Sequence, residues 1–282
     1  MTASVAGLGG RSMRMRRSVA GGGLSLASGV GLGTALLWFS LLVLLPLSAV
    51  VARATTGGWG GFWETLTNPS TAAALRLTIG MAFVVTLVNV VMGTLIAWVL
   101  VRDHFWGKRV LEVLIDLPFA LPTIVAGLVL LQVYGPKGPT PIDVANTRAS
   151  VFLAFLFVTL PFVVRTVQPV LLEIDREVEE AAASLGASRI TTFRRVILPS
   201  LTPAIASGAA LSFARAISEY GSLVLLSGNL PLRTEVTSVR ILTYIEGGRN
   251  GNAAVVATVL LAVALFVIVL LDIIQRRVTR RG

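Results

Sequence analysis

The chain has 282 residues, of which 55% are hydrophobic and 13% charged, and its mean hydropathy is +0.83. A typical soluble domain carries about 25% charged residues, so much of this chain's apolar surface is expected to face a bilayer rather than water. The net charge of +10 could suggest nucleic acid binding, but membrane proteins concentrate Arg and Lys in cytoplasmic loops, and no nucleic acid partner is expected. Because the chain has no Cys and a single His, His104, the sequence excludes disulfides and thiolate or multi-histidine metal sites, and we predict no metal-binding or catalytic residues.

Six apolar stretches are each long enough to cross a bilayer, which takes roughly 20 residues per helix. They cover residues 31–52, 75–101, 110–134, 150–170, 201–227 and 252–274. The predicted fold is an all-α integral membrane protein with about six transmembrane helices. The predicted organisation is an N-terminal tail over residues 1–30, a transmembrane domain over 31–274 and a basic tail over 275–282. The first stretch is too long for the core of a cleaved signal peptide, so we expect an uncleaved first span.

Basic residues fall mainly in one set of loops, and this bias predicts the orientation. That set holds Arg11, Arg14, Arg16, Arg17, Arg102, Lys108, Arg109, Arg165, Arg176, Arg189, Arg194, Arg195, Arg276, Arg277, Arg280 and Arg281. Loops with excess Arg and Lys face the cytoplasm, so both termini are predicted to be cytoplasmic. The same rule places residues 171–200 in the cytoplasm.

Residues 171–200 form the most polar long stretch of the chain, and we call this segment the elbow. Acidic residues precede the helix-forming run Ala181–Ala183, and Gly186 is predicted to break that helix. A second amphipathic stretch, 190–197, is predicted to place its apolar residues on one face and Arg194 and Arg195 off it. The elbow is therefore expected to be a helix–glycine–helix unit at the cytoplasmic surface.

The spacing within the elbow resembles the cytoplasmic motif of the permease subunits of ABC importers. In that motif Glu-Ala-Ala is followed by three residues, Gly, nine residues, Ile, any residue and Leu-Pro. The matching positions are Glu180, Ala181, Ala182, Gly186, Val196, Leu198 and Pro199. Val196, where the family has Ile, is the one departure. The resemblance implies the ABC importer permease (MetI-like) fold and a coupling helix that docks on a separate ATPase subunit.

Further segments are similar to sulfate/thiosulfate permeases of the CysT type, from about residue 34 onward. They are residues 98–103, 116–123, 159–165, 173–177 and 213–222. Ser218 and Tyr220 depart mildly from the Gly and Phe common in relatives. Permeases for molybdate or tungstate share some of these patterns and remain an alternative, although they usually have a shorter N-terminal part.

The resemblance also implies the partners and the energy source. The expected partners are an ATPase dimer of the CysA type, a second permease of the CysW type and a periplasmic or lipid-anchored sulfate-binding protein, all in or at the lipid bilayer of the inner membrane. The chain has no G-x-x-x-x-G-K-[ST] phosphate loop, so ATP and Mg²⁺ are expected on the partner ATPase and no cofactor on this chain. The chain itself is not expected to be an enzyme.

Charged residues inside a membrane are costly and usually face a bundle interior or a pathway. Arg215 and Glu219 lie four residues apart in the fifth predicted span, so we expect them on one helix face. They are candidates either for the pathway or its gate, or for a structural ion pair. Hydroxyls can also bind an anion, although helix packing is the more common role of such residues in membrane helices, so these candidates rank below the charged pair. The hydroxyl candidates are Thr123, Ser212, Ser218 and Ser222.

Two prolines, Pro118 and Pro122, lie inside the third predicted span next to Asp116. They predict either a simple kink or a broken helix that lines the pathway. Glu112 and Asp116 lie near the cytoplasmic entry of this span, within reach of Lys108 and Arg109 as candidate ion-pair partners.

Two other classes of protein are compatible with several spans. A secondary anion transporter would not need the elbow and usually has ten or more spans with internal repeats. An intramembrane enzyme would need paired acids or a histidine cluster, which this composition argues against.

Overall fold

The structure is a computed structural model, and it describes residues 26–279. Arg11, Arg14, Arg16, Arg17, Arg280 and Arg281, on which part of the predicted orientation depends, lie outside the described residues. Within 26–279 the chain is helical, without β-strands. The helices are α1 (Leu26–Phe39), α2 (Leu45–Ala54), α3 (Gly58–Thr67), α4 (Pro69–Arg102), α5 (Lys108–Ala120), α6 (Thr123–Tyr134), α7 (Arg148–Glu173), α8 (Arg176–Ser184), α9 (Arg189–Thr192), α10 (Leu198–Ile217), α11 (Gly221–Leu226), α12 (Thr237–Glu246) and α13 (Asn250–Thr279).

The first span, Ser28–Ala54, is a continuous helical rod of high hydropathy. Its middle, Ser40–Leu44, is π-helical and ends two residues before Pro46. Proline cannot donate the usual i→i−4 hydrogen bond, which accounts for the looser register there. The high hydropathy of this helix suits a segment whose solvent is lipid.

From residue 49 onward, the core is built by the four long helices α4, α7, α10 and α13. Helix α7 packs against both α4 and α10, and α10 packs in turn against α4 and α13. One buried cluster contains Phe155, Phe213 and Leu223, and another contains Leu100, Leu171 and Ile197. Because Leu100 and Leu171 lie near the C-terminal ends of α4 and α7, the second cluster supports the elbow that follows α7.

The third predicted span is broken. Helices α5 and α6 meet at an angle of 120° across Leu121 and Pro122, which is far beyond a kink. Leu121 is extended, with φ −86° and ψ 134°, as expected for a residue that precedes proline. Pro118 lies inside α5, and Pro122 caps α6.

The fifth predicted span, 201–227, is wrong at both ends. The membrane helix begins earlier, because residues Arg189–Ile217 form one continuous apolar helical span, and it ends at Ile217. Three non-helical or capping residues follow before the short helix α11. Within residues 26–279, five helices are long and apolar enough to cross a membrane, or six if the bent pair α5–α6 counts as one span, which confirms the predicted number of about six.

Candidate functional site

The first half of the elbow contains helix α8, which ends at Ser184, and Gly186 breaks the helix as predicted. Gly186 has φ +82°, a conformation that costs an L-residue about 1–2 kcal/mol. The Gly186 N–H donates to the Ala183 carbonyl at 2.9 Å, and the Ala187 N–H donates to the Ala182 carbonyl at 3.0 Å. These are the two bonds of a Schellman cap. They give a physical reason for the fixed spacing between the Glu-Ala-Ala run and Gly186.

The second half of the elbow runs directly into a membrane span. The Ser188 hydroxyl caps the new helix by accepting from the Thr191 N–H at 3.2 Å. The chain then stays helical through α9, a π-helical segment Phe193–Ile197 and α10, and as in the first span the π-helical register ends two residues before a proline, Pro199. A movement of the elbow would therefore be transmitted directly to α10.

The predicted apolar face of residues 190–197 holds only in part. Ile197 is buried at 2% exposure, and Phe193 and Val196 are half-buried. Ile190, however, is 71% exposed. Arg194 and Arg195 are exposed, as expected.

An ion pair ties the elbow to the end of α4. Arg102, the last residue of α4, contacts Glu179 of α8 through its guanidinium. The guanidinium carbon of Arg102 also lies 5.7 Å from the centroid of the Trp98 ring. The two residues line a cavity of about 450 Å³ between α4 and the elbow. Glu180, the glutamate of the motif, is exposed and makes no ion pair within the described part of the chain.

The other candidate region is the point where α10 ends, which together with the start of α6 we call the junction (Thr123–Gly127 and Arg215–Ser222). Arg215 contacts Glu219 at 2.6 Å, although Glu219 lies beyond the end of α10 and not on the same helix as expected. The Glu219 carboxylate also accepts from the Ser222 N–H at 3.0 Å and hydroxyl at 2.9 Å. It is only 1% exposed, whereas the Arg215 side chain is 28% exposed. The buried Glu219 carboxylate therefore binds both the first turn of α11, through Ser222, and the partly exposed Arg215 guanidinium.

The two broken spans meet at the junction without room for a side chain. A Cβ on Gly127 of α6 would overlap the backbone of Ser222, with its Cα 2.7 Å away. A Cβ on Gly221 would overlap the Thr123 hydroxyl and approach the Ile124 nitrogen at 2.9 Å. Such close approach lets α6 and α11 pack backbone to backbone, as small residues do between membrane helices.

The structure brings Thr123, Arg215, Glu219 and Ser222 together at the junction, with Ser218 exposed beside them. Asp116 and Ser212 lie away from the junction, and Pro118 and Pro122 lie at the bend between α5 and α6. The bend itself places Pro122 directly before Thr123, so that the end of α5 adjoins the junction.

Asp116 pairs with a different partner from the predicted ones. Its carboxylate binds Arg165, with Nε to Oδ1 at 2.7 Å, and Arg165 also donates to Gln168 at 2.8 Å. Arg165 was counted with the cytoplasmic loops in the sequence, but it lies inside helix α7. Lys108 and Arg109 do not contact it. The pair fixes α5 against α7 and leaves Asp116 apart from the junction.

Ser212 belongs to a polar clamp inside the bundle. The Asn89 amide of α4 donates to the Thr159 hydroxyl of α7 at 2.7 Å and to the Ser212 hydroxyl of α10 at 3.1 Å. All three residues are fully buried. Asn89 was missed by the sequence analysis, although an amide in the middle of an apolar run is a visible signal.

Glu235, in the loop before α12, is a further buried carboxylate that the sequence did not single out. It is 4% exposed, and its nearest cation is Arg240, with Nη1 3.8 Å from Oε1. Burial raises the pKa of Glu235 above its ordinary value, while the Arg240 charge and the Thr243 hydroxyl act in the opposite direction.

Comparison with known proteins agrees with these features. Residues 89–281 match the family described as "Binding-protein-dependent transport system inner membrane component". The chain is 42% identical over 259 residues to the "Sulfate transport system permease protein CysT" of Salmonella typhimurium, covering 89% of this chain and 94% of that protein. It is 46% identical over 241 residues to the "Probable sulfate transport system permease protein cysT" of Chlorokybus atmophyticus, covering 83% and 84%.

Solved structures share the fold at low sequence identity. A bacterial ABC transporter involved in import of the acidic polysaccharide alginate superposes with a TM-score of 0.72 at 17% identity, covering 89% of this chain and 95% of that one. The inward-facing MetNI methionine ABC transporter gives a TM-score of 0.53 at 20% identity, covering 74% and 94%. The predicted ABC importer permease fold is thus confirmed. The chain belongs to the family of binding-protein-dependent transport system inner membrane components, and within it the chain is similar to the CysT permeases.

Proposed function

We propose that this chain is the transmembrane permease subunit of an ATP-driven importer that moves sulfate, and also thiosulfate, into the cytoplasm. The observation that carries the choice of substrate is the similarity to CysT sulfate permeases over nearly the whole chain. Both termini and the elbow face the cytoplasm in this proposal, since the basic residues concentrate on that side.

The elbow is proposed to dock on the ATPase subunits. Its apolar side chains include Leu185, 89% exposed, and Ile190, 71% exposed, next to the exposed carboxylate of Glu180. Exposed apolar groups beside a charge suit a protein interface. The coupling residues are proposed to be Glu180, Ala181, Ala182, Gly186, Val196, Leu198 and Pro199.

The partners follow from the same proposal. They are an ATPase dimer of the CysA type, which carries ATP and Mg²⁺, a second permease of the CysW type and a sulfate-binding protein outside the membrane. One structural neighbour was solved in complex with an alginate pentasaccharide-bound periplasmic protein, which supports a binding protein as a partner for this fold.

The junction is proposed to lie on the pathway or its gate. Within the ion pair, Glu219 is buried whereas the Arg215 guanidinium is partly exposed. Its exposed N–H groups could donate hydrogen bonds to an anion. Thr123, Ser218 and Ser222 belong to the same junction, where Ser222 binds Glu219 and Thr123 packs against Gly221, while Pro118 and Pro122 shape the broken span beside it. Ser212 and Asp116 are proposed to support the helices that carry this site, because both are held in contacts between helices.

The direct test is uptake of radiolabelled sulfate in a strain that lacks its own sulfate permeases. Expression of the chain with its cognate partners should restore uptake, and inactivation of the ATPase should abolish it. Uptake of labelled molybdate without sulfate would contradict the substrate, and sulfate uptake without the ATPase would indicate a secondary transporter.

Orientation has a separate test, because the chain contains no Cys. Single cysteines at Lys137 and Ser188 should respond oppositely to an impermeant thiol reagent added from outside, with position 137 labelled and position 188 spared. Labelling of 188 alone would reverse the orientation and remove the basis for ATPase docking.

A further inference from the structure

An arginine-lined cleft lies at the end of the bundle opposite the elbow. It has a volume of about 370 Å³ between the first turns of α4, the start of α7 and the loop before α12. Arg76 lies 26 residues before Arg102, which contacts the elbow, and at 1.5 Å per residue the two are about 39 Å apart along α4. That distance exceeds the thickness of a bilayer core, so the cleft and the elbow lie on opposite sides of the membrane.

The cleft carries an excess of positive charge. Its lining includes Arg76, Arg148 and Arg233, and none of them lies within ion-pair distance of a carboxylate in the part of the chain that the structure describes. The lining contains one carboxylate, Glu235, which is buried and has its own cation in Arg240. Three guanidinium charges therefore remain without compensation.

The wall of the cleft is held in place before any ligand binds. The N–H groups of Arg233, Thr234 and Glu235 all donate to the Leu230 carbonyl, at 3.1, 2.9 and 3.0 Å. Leu232 adopts φ +64°, which is unfavourable for a leucine and persists only where the surroundings impose it. Arg148 Nε donates to the Arg233 carbonyl at 3.2 Å, which joins the start of α7 to this turn.

We propose that this cleft is an outer binding site for a divalent tetrahedral oxyanion, which for the proposed importer is sulfate. The identity of the anion rests on the proposed function, whereas the site itself rests on the three arginines. Guanidinium groups bind such oxyanions through paired N–H donors, and convergent cations raise the local anion concentration at a pathway mouth. The phosphate of a lipid headgroup has the same chemistry, so the test separates the two sources.

The test uses a cysteine at Gly80, which lies on the cleft wall. A Cβ there meets no atom within 4 Å, so Gly80→Cys fits without distortion. Gly60→Cys in α3 is the matched control, since it is also helical, exposed and open around its Cβ. Labelling rates are measured on the assembled complex in phosphatidylcholine nanodiscs, with an anionic and a neutral methanethiosulfonate of similar size.

The cleft predicts that the ratio of anionic to neutral labelling rates is about tenfold higher at position 80 than at position 60, as expected for electrostatic focusing. Millimolar sulfate should slow anionic labelling at position 80 more than chloride of equal ionic strength, which controls for screening. Changing Arg76, Arg148 and Arg233 together to Gln should abolish both effects. Equal ratios at the two positions, or no difference between sulfate and chloride, would overturn the proposal.

Nanodiscs that contain phosphatidylglycerol distinguish a lipid occupant. If a lipid phosphate fills the cleft, this lipid slows labelling at position 80 while sulfate in phosphatidylcholine has no effect, and the proposal fails. Failure of the proposed function would look different, because sulfate uptake would be absent while protection by sulfate or molybdate persisted.

Discussion

The elbow and the junction both interrupt helices, but they differ in whether their charged and apolar side chains find partners within this chain. At the junction, Glu219 is 1% exposed and finds its cation and two hydrogen-bond donors within the same chain. At the elbow, Leu185 is 89% and Ile190 71% exposed, and Glu180 has no ion-pair partner among the described residues. The Glu219 carboxylate is therefore satisfied within this chain, and the exposed groups of the elbow are those that the proposed docking on another subunit would cover.

The largest effect is expected when the junction loses its cation. Arg215→Ala should destabilise the permease by about 3 kcal/mol, because it leaves a buried carboxylate without its partner. The double variant Arg215→Ala with Glu219→Gln should recover most of that loss, since Gln can still accept from Ser222. The measurement is the amount of assembled complex alongside sulfate uptake.

The double variant also separates the two roles of Arg215. If Arg215 serves the anion, the double variant assembles yet fails to transport, and Arg215→Lys keeps part of the activity because a point charge still attracts sulfate. Wild-type uptake by the double variant would remove Arg215 from the pathway and leave only its structural role.

Adding one methyl group to a glycine should have different effects at the tightly packed junction and at an open helix surface. Gly127→Ala is expected to cost about 1–3 kcal/mol, since the new Cβ overlaps the Ser222 backbone. Gly80→Ala, where the Cβ direction is open, should instead be neutral or stabilise its helix by up to about 1 kcal/mol. Thermal unfolding of the purified complex measures both, and equal stability of the two variants would contradict the packing at the junction.

A substitution in the elbow should lower transport activity and leave folding of the permease intact. Gly186→Ala has ample space but must adopt φ +82°, so we expect about 1–2 kcal/mol of strain confined to the cap. Membrane insertion should be unchanged, while ATPase copurification and sulfate uptake both fall. Full activity of this variant would argue against the elbow as the coupling element; Gly61→Ala, a helical glycine with open space, serves as the control.

The smallest effect concerns pH at Glu235. Because burial raises the pKa of Glu235, the folded state holds its proton at a pH where the unfolded state has already released it. Stability from this group is therefore lost as pH rises above the ordinary glutamate range. Glu235→Gln should flatten the fall in melting temperature as pH rises above the ordinary glutamate range, and an unchanged slope would contradict this assignment.

The sequence predicted the features that depend on local chemistry. Gly186 ends α8 because its spacing from Ala182 and Ala183 fits a helix cap. Pro118 and Pro122 marked a disturbance of the third span, although the sequence left a kink and a break both open, and the break occurs at Leu121, the neighbour of Pro122. Both causes lie within a few residues of their effects.

Features set by distant contacts were not predictable in the same way. The apolar run 201–227 gives no sign that α10 stops at Ile217, which depends on Glu219 and on the fit of Gly221 against Thr123. Asp116 was assigned to Lys108 or Arg109 by closeness in sequence, whereas its partner Arg165 lies 49 residues away on α7. The 120° bend also requires a partner helix, since prolines specify a break but not its angle.

The most direct test of the contrast between the two regions is the accessibility of a single cysteine at Leu185, the most exposed apolar side chain of the elbow. Its labelling rate is measured in membranes that contain the permease alone and in membranes that contain the complete complex with its ATPase. If the elbow is the docking surface, labelling is fast without the ATPase and strongly slowed with it, while a cysteine at Lys137 reacts equally in both. Equal rates at position 185 in the two membranes would contradict the account.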